Sequence, residues 1–228
     1  MWNRQQVKEQ AKIIMKRNYW KMFVVTLLAG LLTGEKTTII ERVQNFASTN
    51  ISYDTSPIFY SSNFQYIFYT FISIASILGI LYTIFIGNVI VVGKSRYFIK
   101  NHDVNPELGE IFSGFKGNYL NVVKIMFLMN LKILLWLFLF IVPGFIKAYE
   151  YSMIPYLLAE NPNLSASQAF SLSKQMTTGQ KMDLFVLDLS FLGWIILGLI
   201  CCGIGILFLQ PYPEATRAEV YLILKQQV

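Results

Sequence analysis

The feature that most constrains the fold of this chain is a run of 27 residues, Tyr66–Val92, that carries no charged side chain. A helix of about 20 apolar residues is long enough to cross the hydrocarbon core of a bilayer. The run is followed by Gly93-Lys94-Ser95-Arg96, and such cations are typical of a return to the cytoplasmic side. Only 14% of the residues are charged, compared with about 25% in soluble domains. We therefore expect an integral membrane protein, with residues 1–228 forming one membrane domain.

The chain contains further apolar stretches. Three of them, Trp20–Ile40, Tyr119–Val142 and Met182–Leu199, are predicted to span the membrane. Two others, Phe145–Glu160 and residues 206–226, are compatible with a short span or with a helix on the membrane surface. The first interpretation gives an all-α polytopic protein with six transmembrane helices, arranged as three hairpins that are each preceded by an amphipathic interfacial helix. The alternative is four spans, with both ambiguous segments on the surface.

The first interfacial helix is expected at residues 1–18, where apolar residues follow helical spacing on one face and lysines on the other. Residues 1–21 contain six cations and a single acid, Glu9. Such basic segments stay cytoplasmic and bind anionic lipid head groups. We therefore predict a multi-pass plasma-membrane protein with both termini cytoplasmic, and no nucleic-acid partner. The other interfacial helices are predicted at Pro106–Phe115 and Leu164–Met176, and residues 41–65 as an external loop.

Three similar sequences stand where predicted spans begin: Arg17-Asn18-Tyr19-Trp20, Gly117-Asn118-Tyr119-Leu120 and Gly179-Gln180-Lys181-Met182. Each follows an amphipathic segment, which indicates an internal threefold repeat of interfacial helix and hairpin. The alternative is chance similarity between sequences that enter a membrane.

A series of short sequences extends over most of the chain outside residues 41–65: Gly93-Lys94-Ser95-Arg96-Tyr97-Phe98, Leu135-Trp136-Leu137, Val142–Tyr149, Tyr151–Tyr156, Asp188–Trp194, and Pro211-Tyr212 with Ala215-Thr216 and Tyr221. Together they resemble the bacterial integral-membrane family known as domain of unknown function 975, which is common in Gram-positive bacteria. The resemblance implies a membrane protein and no mechanism. That family is more distantly similar to membrane domains attached to glycerophosphodiester phosphodiesterases. The chain has no phosphodiesterase residues, so no activity carries over.

The sequence contains no arrangement of residues that indicates catalysis. Its single histidine, His102, falls in a predicted cytoplasmic loop. One histidine cannot form a His-based metal site, and no cysteine or carboxylate cluster has metal-ligand spacing nearby. The common nucleophile, phosphate-binding and dinucleotide motifs do not occur. We expect neither an enzyme nor a protein that holds a metal or cofactor.

Charged residues inside the predicted spans are the stronger functional signal, because a charge at the bilayer centre costs at least about 2.5–3.5 kcal/mol. The candidates for an intramembrane polar or ligand site are Lys124, Lys132, Lys147, Glu150, Asp183, Asp188, Glu214 and Arg217. The repeat alignment places Lys124 and Asp188 at similar depth, which predicts an ion pair between their helices. Lys147 and Glu150 are one helical turn apart, a spacing that favours a local pair. These charges either orient the helices or line a polar site.

Prolines interrupt two predicted hairpins, at Pro143-Gly144 and at Pro211 and Pro213. Broken helices at matching repeat positions are typical of transporter substrate sites. We therefore predict a small carrier or permease for an amphiphile, such as a lipid or an antimicrobial peptide. The alternative is a non-transporting accessory or immunity protein that binds another membrane protein. Assembly into a homo-oligomer would favour the carrier.

Overall fold

The computed structural model describes residues 3–33, 62–200 and 208–228, and every regular element within them is helical. The elements are α1 (Arg4–Thr33), α2 (Ser62–Tyr82), a π-helical turn (Thr83–Gly87), α3 (Asn88–Asp103), a 3₁₀ helix (Leu108–Phe115), α4 (Tyr119–Leu139), α5 (Ile141–Glu150), α6 (Ile154–Glu160), α7 (Ala166–Thr177), α8 (Lys181–Ile200) and α9 (Pro211–Lys225). The all-α prediction is confirmed for this part of the chain.

α1 joins the basic helix predicted at residues 1–18 to the beginning of the first predicted span. The helix is kinked at Asn18, whose φ of −134° and ψ of 28° are not helical. The Asn18 side chain donates to Oδ1 of Asn101 at 2.7 Å, and Arg17 donates to the Asn101 carbonyl at 2.6 Å. The last carbonyl groups of a helix have no hydrogen-bond partner within that helix. Arg17 supplies such a partner to the end of α3, and the same contact holds α1 in its kinked form.

α2, the π-helical turn and α3 form one continuous helix from Ser62 to Asp103. The span predicted at Tyr66–Val92 is confirmed as helix, but its predicted end is wrong. The cations that follow do not end the helix, because Lys94 is buried and pairs with Glu214 of α9 at 2.8 Å. Of the predicted loop, residues 62–65 are helical, and residues 41–61 lie outside the described residues.

His102 lies in α3 rather than in a loop. Its Nδ1 is 2.8 Å from the carboxylate of Glu219 in α9. The prediction that His102 lies in a loop is therefore wrong, because the helix continues and brings this residue against α9, while its side chain stays 40% exposed.

Burial divides the structure into a packed layer and an exposed apolar part. The described side chains from Tyr66 to Tyr82 are exposed, whereas most of those from Gly87 to Asn101 are buried. α4 shows the same change, with buried residues between Val122 and Met129 and mostly exposed apolar residues after them. Soluble proteins rarely expose so large a contiguous apolar surface without a partner or lipid to cover it.

Two helices among the described residues are long and apolar enough to cross a bilayer, Tyr69–Asp103 and Tyr119–Leu139. Only 22% and 28% of their most apolar windows are buried. The core helix of a soluble protein would be mostly buried, so this exposure favours membrane association. The choice between six spans and four stays a prediction.

The segment predicted as an amphipathic helix at Pro106–Phe115 contains the 3₁₀ helix, which packs closely against α3. A Cβ atom at Gly93 would lie 1.8 Å from the carbonyl oxygen of Ile111, and one at Gly114 would lie 2.6 Å from that of Val89. Glycine at both positions therefore allows the two backbones to touch.

The chain reverses direction between α4 and α5 at Phe140, which has an extended φ of −152° and ψ of 131°. The break predicted at Pro143-Gly144 is wrong, because both residues lie in the first turn of α5. Proline is tolerated there since N–H groups of the first turn have no partner within the helix. Gly144 permits the tight reversal, because a Cβ atom there would lie 2.5 Å from the Leu137 side chain.

The later predicted segments also differ from their expected form. The segment Phe145–Glu160 is not one straight helix, because a turn at residues 151–153 separates α5 from the mostly buried α6. The helix predicted at Leu164–Met176 is confirmed as α7, which begins with a capping box formed by Ser165 and Gln168. The segments predicted at Met182–Leu199 and residues 206–226 contain α8 and α9.

Two of the three sequences that suggest a repeat share a backbone feature. Gly117 and Gly179 have positive φ angles of 99° and 77°, each two residues before the helix that follows. The remaining sequence, which begins at Arg17, has the kink of α1 at Asn18, with a negative φ of −134°. The following halves are unlike, because a helix continuous to Asp103 corresponds to the divided pair α5 and α6. The repeat therefore stays a prediction.

Candidate functional site

Glu150 is the centre of a polar cluster at the end of α5. Its side chain is buried, and its two carboxylate oxygens accept hydrogen bonds from Lys147 and Lys181 at 2.8 Å each. The pair that the spacing of Lys147 and Glu150 predicts is confirmed. The backbone carbonyl of Glu150 accepts from the Ser173 hydroxyl at 2.7 Å. This one residue therefore ties α5 to both α7 and α8.

Opposing effects act on the pKa of Glu150, which lies outside the two candidate spans. Burial raises this pKa, but hydrogen bonds from Lys147 and Lys181 lower it more, so it lies below its ordinary value of 4.5. The hydrogen bond to Glu150 in turn raises the pKa of Lys147. Both groups are therefore charged at neutral pH.

Lys132 of α4 adds a third cation to this cluster. Its Nζ lies 3.6 Å from the centre of the Phe170 ring and 6.0 Å from that of Tyr151. The Nζ of Lys147 is 5.7 Å from the same Tyr151 ring. Among the described residues, Lys132 forms no ion pair within 4.0 Å. We call Lys132, Lys147, Lys181 and Glu150 the lysine cluster, in which two lysines bond to Glu150 and the third lies near the Tyr151 ring.

A cavity of about 270 Å³ lies between α5, α6, α8 and α9. Its polar wall is formed by Arg217, which donates to Asp188 at 2.9 Å, and by the Tyr149 hydroxyl, which donates to the same carboxylate oxygen at 3.0 Å. The rest of the lining is mostly apolar: Phe145, Ala148, Ser152, Met153, Tyr156, Leu184 and Leu187. The cavity thus combines an ion pair with apolar walls.

An open apolar groove of about 350 Å³ adjoins this cavity, and Phe145 and Tyr149 line both. The remaining groove residues are Val142, Ile146, Lys181, Met182 and Phe185. Lys181 belongs at the same time to the groove and to the lysine cluster. Cavity, groove and lysine cluster therefore form one connected surface around α5 and the beginning of α8.

A second ion pair lies beside the cavity. Glu214, one turn before Arg217 in α9, accepts a hydrogen bond from Lys94 of α3 at 2.8 Å. Lys94, Glu214, Arg217 and Asp188 thus alternate in charge across α3, α9 and α8. This arrangement pairs the buried Lys94 and the more exposed charges around it with opposite charges, and it connects α9 to α3 and α8.

The structure brings together six of the eight residues proposed from the sequence, in three groups. Lys132, Lys147 and Glu150 belong to the lysine cluster, Asp188 and Arg217 to the cavity, and Glu214 to the adjacent pair.

The predicted pair of Lys124 and Asp188 is wrong, because Asp188 bonds to Arg217 and Tyr149 instead. Lys124 is exposed and, within the ranges that the structure describes, forms no ion pair. Asp183 likewise has no ion-pair partner there. Its place in the first turn of α8 is favourable for an acid, because the helix dipole is positive at that end.

Sequence reasoning missed three residues that complete these groups: Tyr149, Lys181 and Lys94. Tyr149 and Lys94 belong to the short sequences that carry the family resemblance, and Lys181 stands directly before a predicted span. These positions could have drawn attention to the three residues. Their bonding partners could not be predicted from local spacing, because each lies 31 or more residues away in the chain. Within the described ranges, no three His, Cys, Asp or Glu side chains are grouped so as to hold a metal ion.

Over the residues that the structure describes, the fold is all-helical, with two helices of membrane type and an apolar groove beside the lysine cluster. The family described as "Protein of unknown function (DUF975)" has a model that matches residues 138–228. The match confirms the resemblance over these residues, which include α5 to α9 and the whole lining of the cavity and groove. No curated protein and no solved structure matches the chain.

Proposed function

We propose that this chain is a small membrane carrier or permease for an amphiphile, such as a bilayer lipid or an antimicrobial peptide. The observation that carries the proposal is the junction, at Phe145 and Tyr149, of an open apolar groove with a cavity that contains the Asp188–Arg217 pair. An amphiphile needs both surfaces. Its apolar part gains free energy by leaving water, and its polar part must keep hydrogen-bond or charge partners.

The position of the groove supports access from the bilayer. Its apolar wall residues are largely exposed, and they include Val142 at 69% and Met182 at 70%. Lipid chains would cover such a surface in a membrane. An amphiphile therefore enters the groove sideways from the bilayer and reaches the cavity past Phe145 and Tyr149.

The membrane arrangement that fits this proposal has six spans in the plasma membrane and both termini in the cytoplasm. Arg4, Lys12 and Lys16 are exposed on α1, where anionic lipid head groups would bind them. A cysteine introduced at exposed Gln175 of α7, with Cys201 and Cys202 replaced by serine, tests the arrangement. An impermeant external reagent should fail to label it, and labelling from outside would favour four spans.

A second candidate function, an accessory or immunity protein, is supported by α2. Every described side chain from Tyr66 to Tyr82 is exposed, and α2 makes its main contacts with the π-helical turn that follows it. Another membrane protein would find there a full apolar helix face. Native mass spectrometry of the protein from its own membranes separates the candidates. A stoichiometric second protein supports the accessory role, and a homo-oligomer or monomer with bound lipid or peptide supports the carrier.

The carrier proposal is tested by lipid translocation in proteoliposomes that contain a fluorescent phospholipid. Ala148 lines the cavity, so the substitution Ala148→Phe should fill it and lower the rate at least tenfold. Ala75 is exposed on α2, which lines neither the cavity nor the groove, so Ala75→Phe is the matched control and should keep the wild-type rate.

Two results would contradict the proposal. The first is a wild-type rate equal to that of protein-free liposomes for both lipid and peptide probes. The second is an equal loss of rate in both variants, which would place the effect in general folding rather than in the cavity.

A further inference from the structure

We infer that the amphiphile bound in the groove is an acidic phospholipid whose phosphate is held by the lysine cluster. This inference rests on the proposed function, because it names the ligand class of the same groove. It follows from the charge of the cluster, from the free donors of its lysines and from its position at the end of the groove.

The charge balance of the lysine cluster favours an anion. Lys147 and Lys181 share the single carboxylate of Glu150, and Lys132 contacts the Phe170 and Tyr151 rings. Among the residues that the structure describes, the cluster therefore has two positive charges without a carboxylate of their own. The cavity differs in this respect, because its Arg217 and Asp188 neutralise each other. Selection for an anionic headgroup therefore belongs to the cluster and not to the cavity.

The lysines retain the donors that a phosphate needs. An ammonium group has three N–H donors, and each of Lys147 and Lys181 is shown using one of them on Glu150. Both ammonium groups contact the carboxylate of Glu150, one at each oxygen. Lys132 and Lys147 both lie near the Tyr151 ring, at 6.0 and 5.7 Å from its centre. A phosphate that approaches Glu150 would therefore meet more than one cation.

The lysine cluster lies beside the boundary between the packed layer and the exposed apolar part. Lys132 follows Asn130 by two residues, and Asn130 donates to Asn88 at 3.0 Å. Burial in the long helix begins next to Asn88, so the cluster marks the boundary between the packed layer and the exposed apolar part. An acyl chain in the groove would therefore place its headgroup beside Lys181, the groove residue that belongs to the cluster.

The test titrates the purified full chain in mild detergent with phosphatidylglycerol and with phosphatidylcholine of identical acyl chains, and counts bound lipid by native mass spectrometry. Wild type should bind phosphatidylglycerol more tightly. Each of Lys132→Gln and Lys181→Gln should weaken phosphatidylglycerol binding about fivefold. Phosphatidylcholine binding should weaken less, because its choline cation balances the phosphate that both lipids carry. Lys116→Gln, at an exposed lysine beside the 3₁₀ helix, is the control and should bind as wild type does.

The outcomes separate this inference from the proposed function. Equal binding of the two lipids by the wild type would overturn the acidic-headgroup inference and keep the groove as a binding site. An intact preference in Lys132→Gln and Lys181→Gln would also overturn it. If neither lipid binds, both the inference and the lipid form of the proposed function fail. Lys132 has no carboxylate partner in the described residues, so its variant should fold normally.

Discussion

The close contact between α3 and the 3₁₀ helix makes Gly93→Ala the sharpest test of the packed layer. An added Cβ would lie 1.8 Å from the Ile111 carbonyl oxygen and 2.5 Å from its carbon, whereas real Cβ contacts almost never fall below 3.0 Å. The neighbour is backbone, so no side chain can rotate away. The two elements would have to separate by more than 1 Å, and the Lys100–Glu110 bridge between them would be strained.

The expected cost follows from packing energetics. Overpacking in a well-packed core costs about 1–3 kcal/mol, and a backbone clash belongs at the upper end. Helix propensity acts in the opposite direction, because alanine is about 1 kcal/mol more favourable than glycine in a helix. We expect a net loss of about 2 kcal/mol, which lowers the Tm of a chain of this length by about 4–8 °C.

The assay is thermal unfolding of the purified protein in detergent, followed by the loss of the monodisperse peak in size-exclusion chromatography. Gly79→Ala in the same continuous helix is the matched control, because its new Cβ would meet nothing within 4 Å. Its Tm should be unchanged or slightly higher. A Gly93→Ala protein with a wild-type Tm would refute the contact between α3 and the 3₁₀ helix.

Three further predictions concern individual hydrogen bonds. Glu150→Gln should lower stability by about 2 kcal/mol, less than the roughly 3–5 kcal/mol of a fully buried pair since its lysines are partly exposed; chemical denaturation measures the loss. In the folded protein the pKa of Glu150 lies below its ordinary 4.5, so ionised Glu150 stabilises the fold above that pH and this stabilisation is lost as the pH falls below it. Between pH 7 and pH 3, the free energy of unfolding should therefore fall less in Glu150→Gln than in the wild type. Ser165→Ala removes the cap of α7 and should cost about 1 kcal/mol in the same assay, whereas Ser171→Ala on the exposed face of α7 should cost less than half as much.

The helices were largely predictable, because the signals that define them are local. The uncharged run at Tyr66–Val92 was sufficient to predict the helix that contains it. The cap formed by Ser165 and Gln168 is likewise a local signal, at the beginning of α7. Helix ends were harder to predict. Lys94 looked like a cytoplasmic boundary, but a carboxylate 120 residues later in the chain pairs with it and keeps it inside the packed layer.

The candidate site was only partly predictable for the same reason. The Lys147–Glu150 pair lies within one helical turn, so its spacing was sufficient. The partner of Asp188 depends on how α9 docks on α8, and a repeat alignment carries no information on docking. The groove itself depends on the reversal at Phe140. From the proline and glycine in the sequence, the break was expected a few residues later, at Pro143-Gly144.

The most direct test of the groove is photo-crosslinking with a phospholipid that carries a diazirine on its acyl chain. One molar equivalent is added to the protein in detergent, irradiated, and mapped by peptide mass spectrometry. The account predicts that the labels lie at residues 142–149 and 182–185, both in the wild type and in Ala75→Phe. Labels that concentrate instead on α2 would contradict a binding site in the groove.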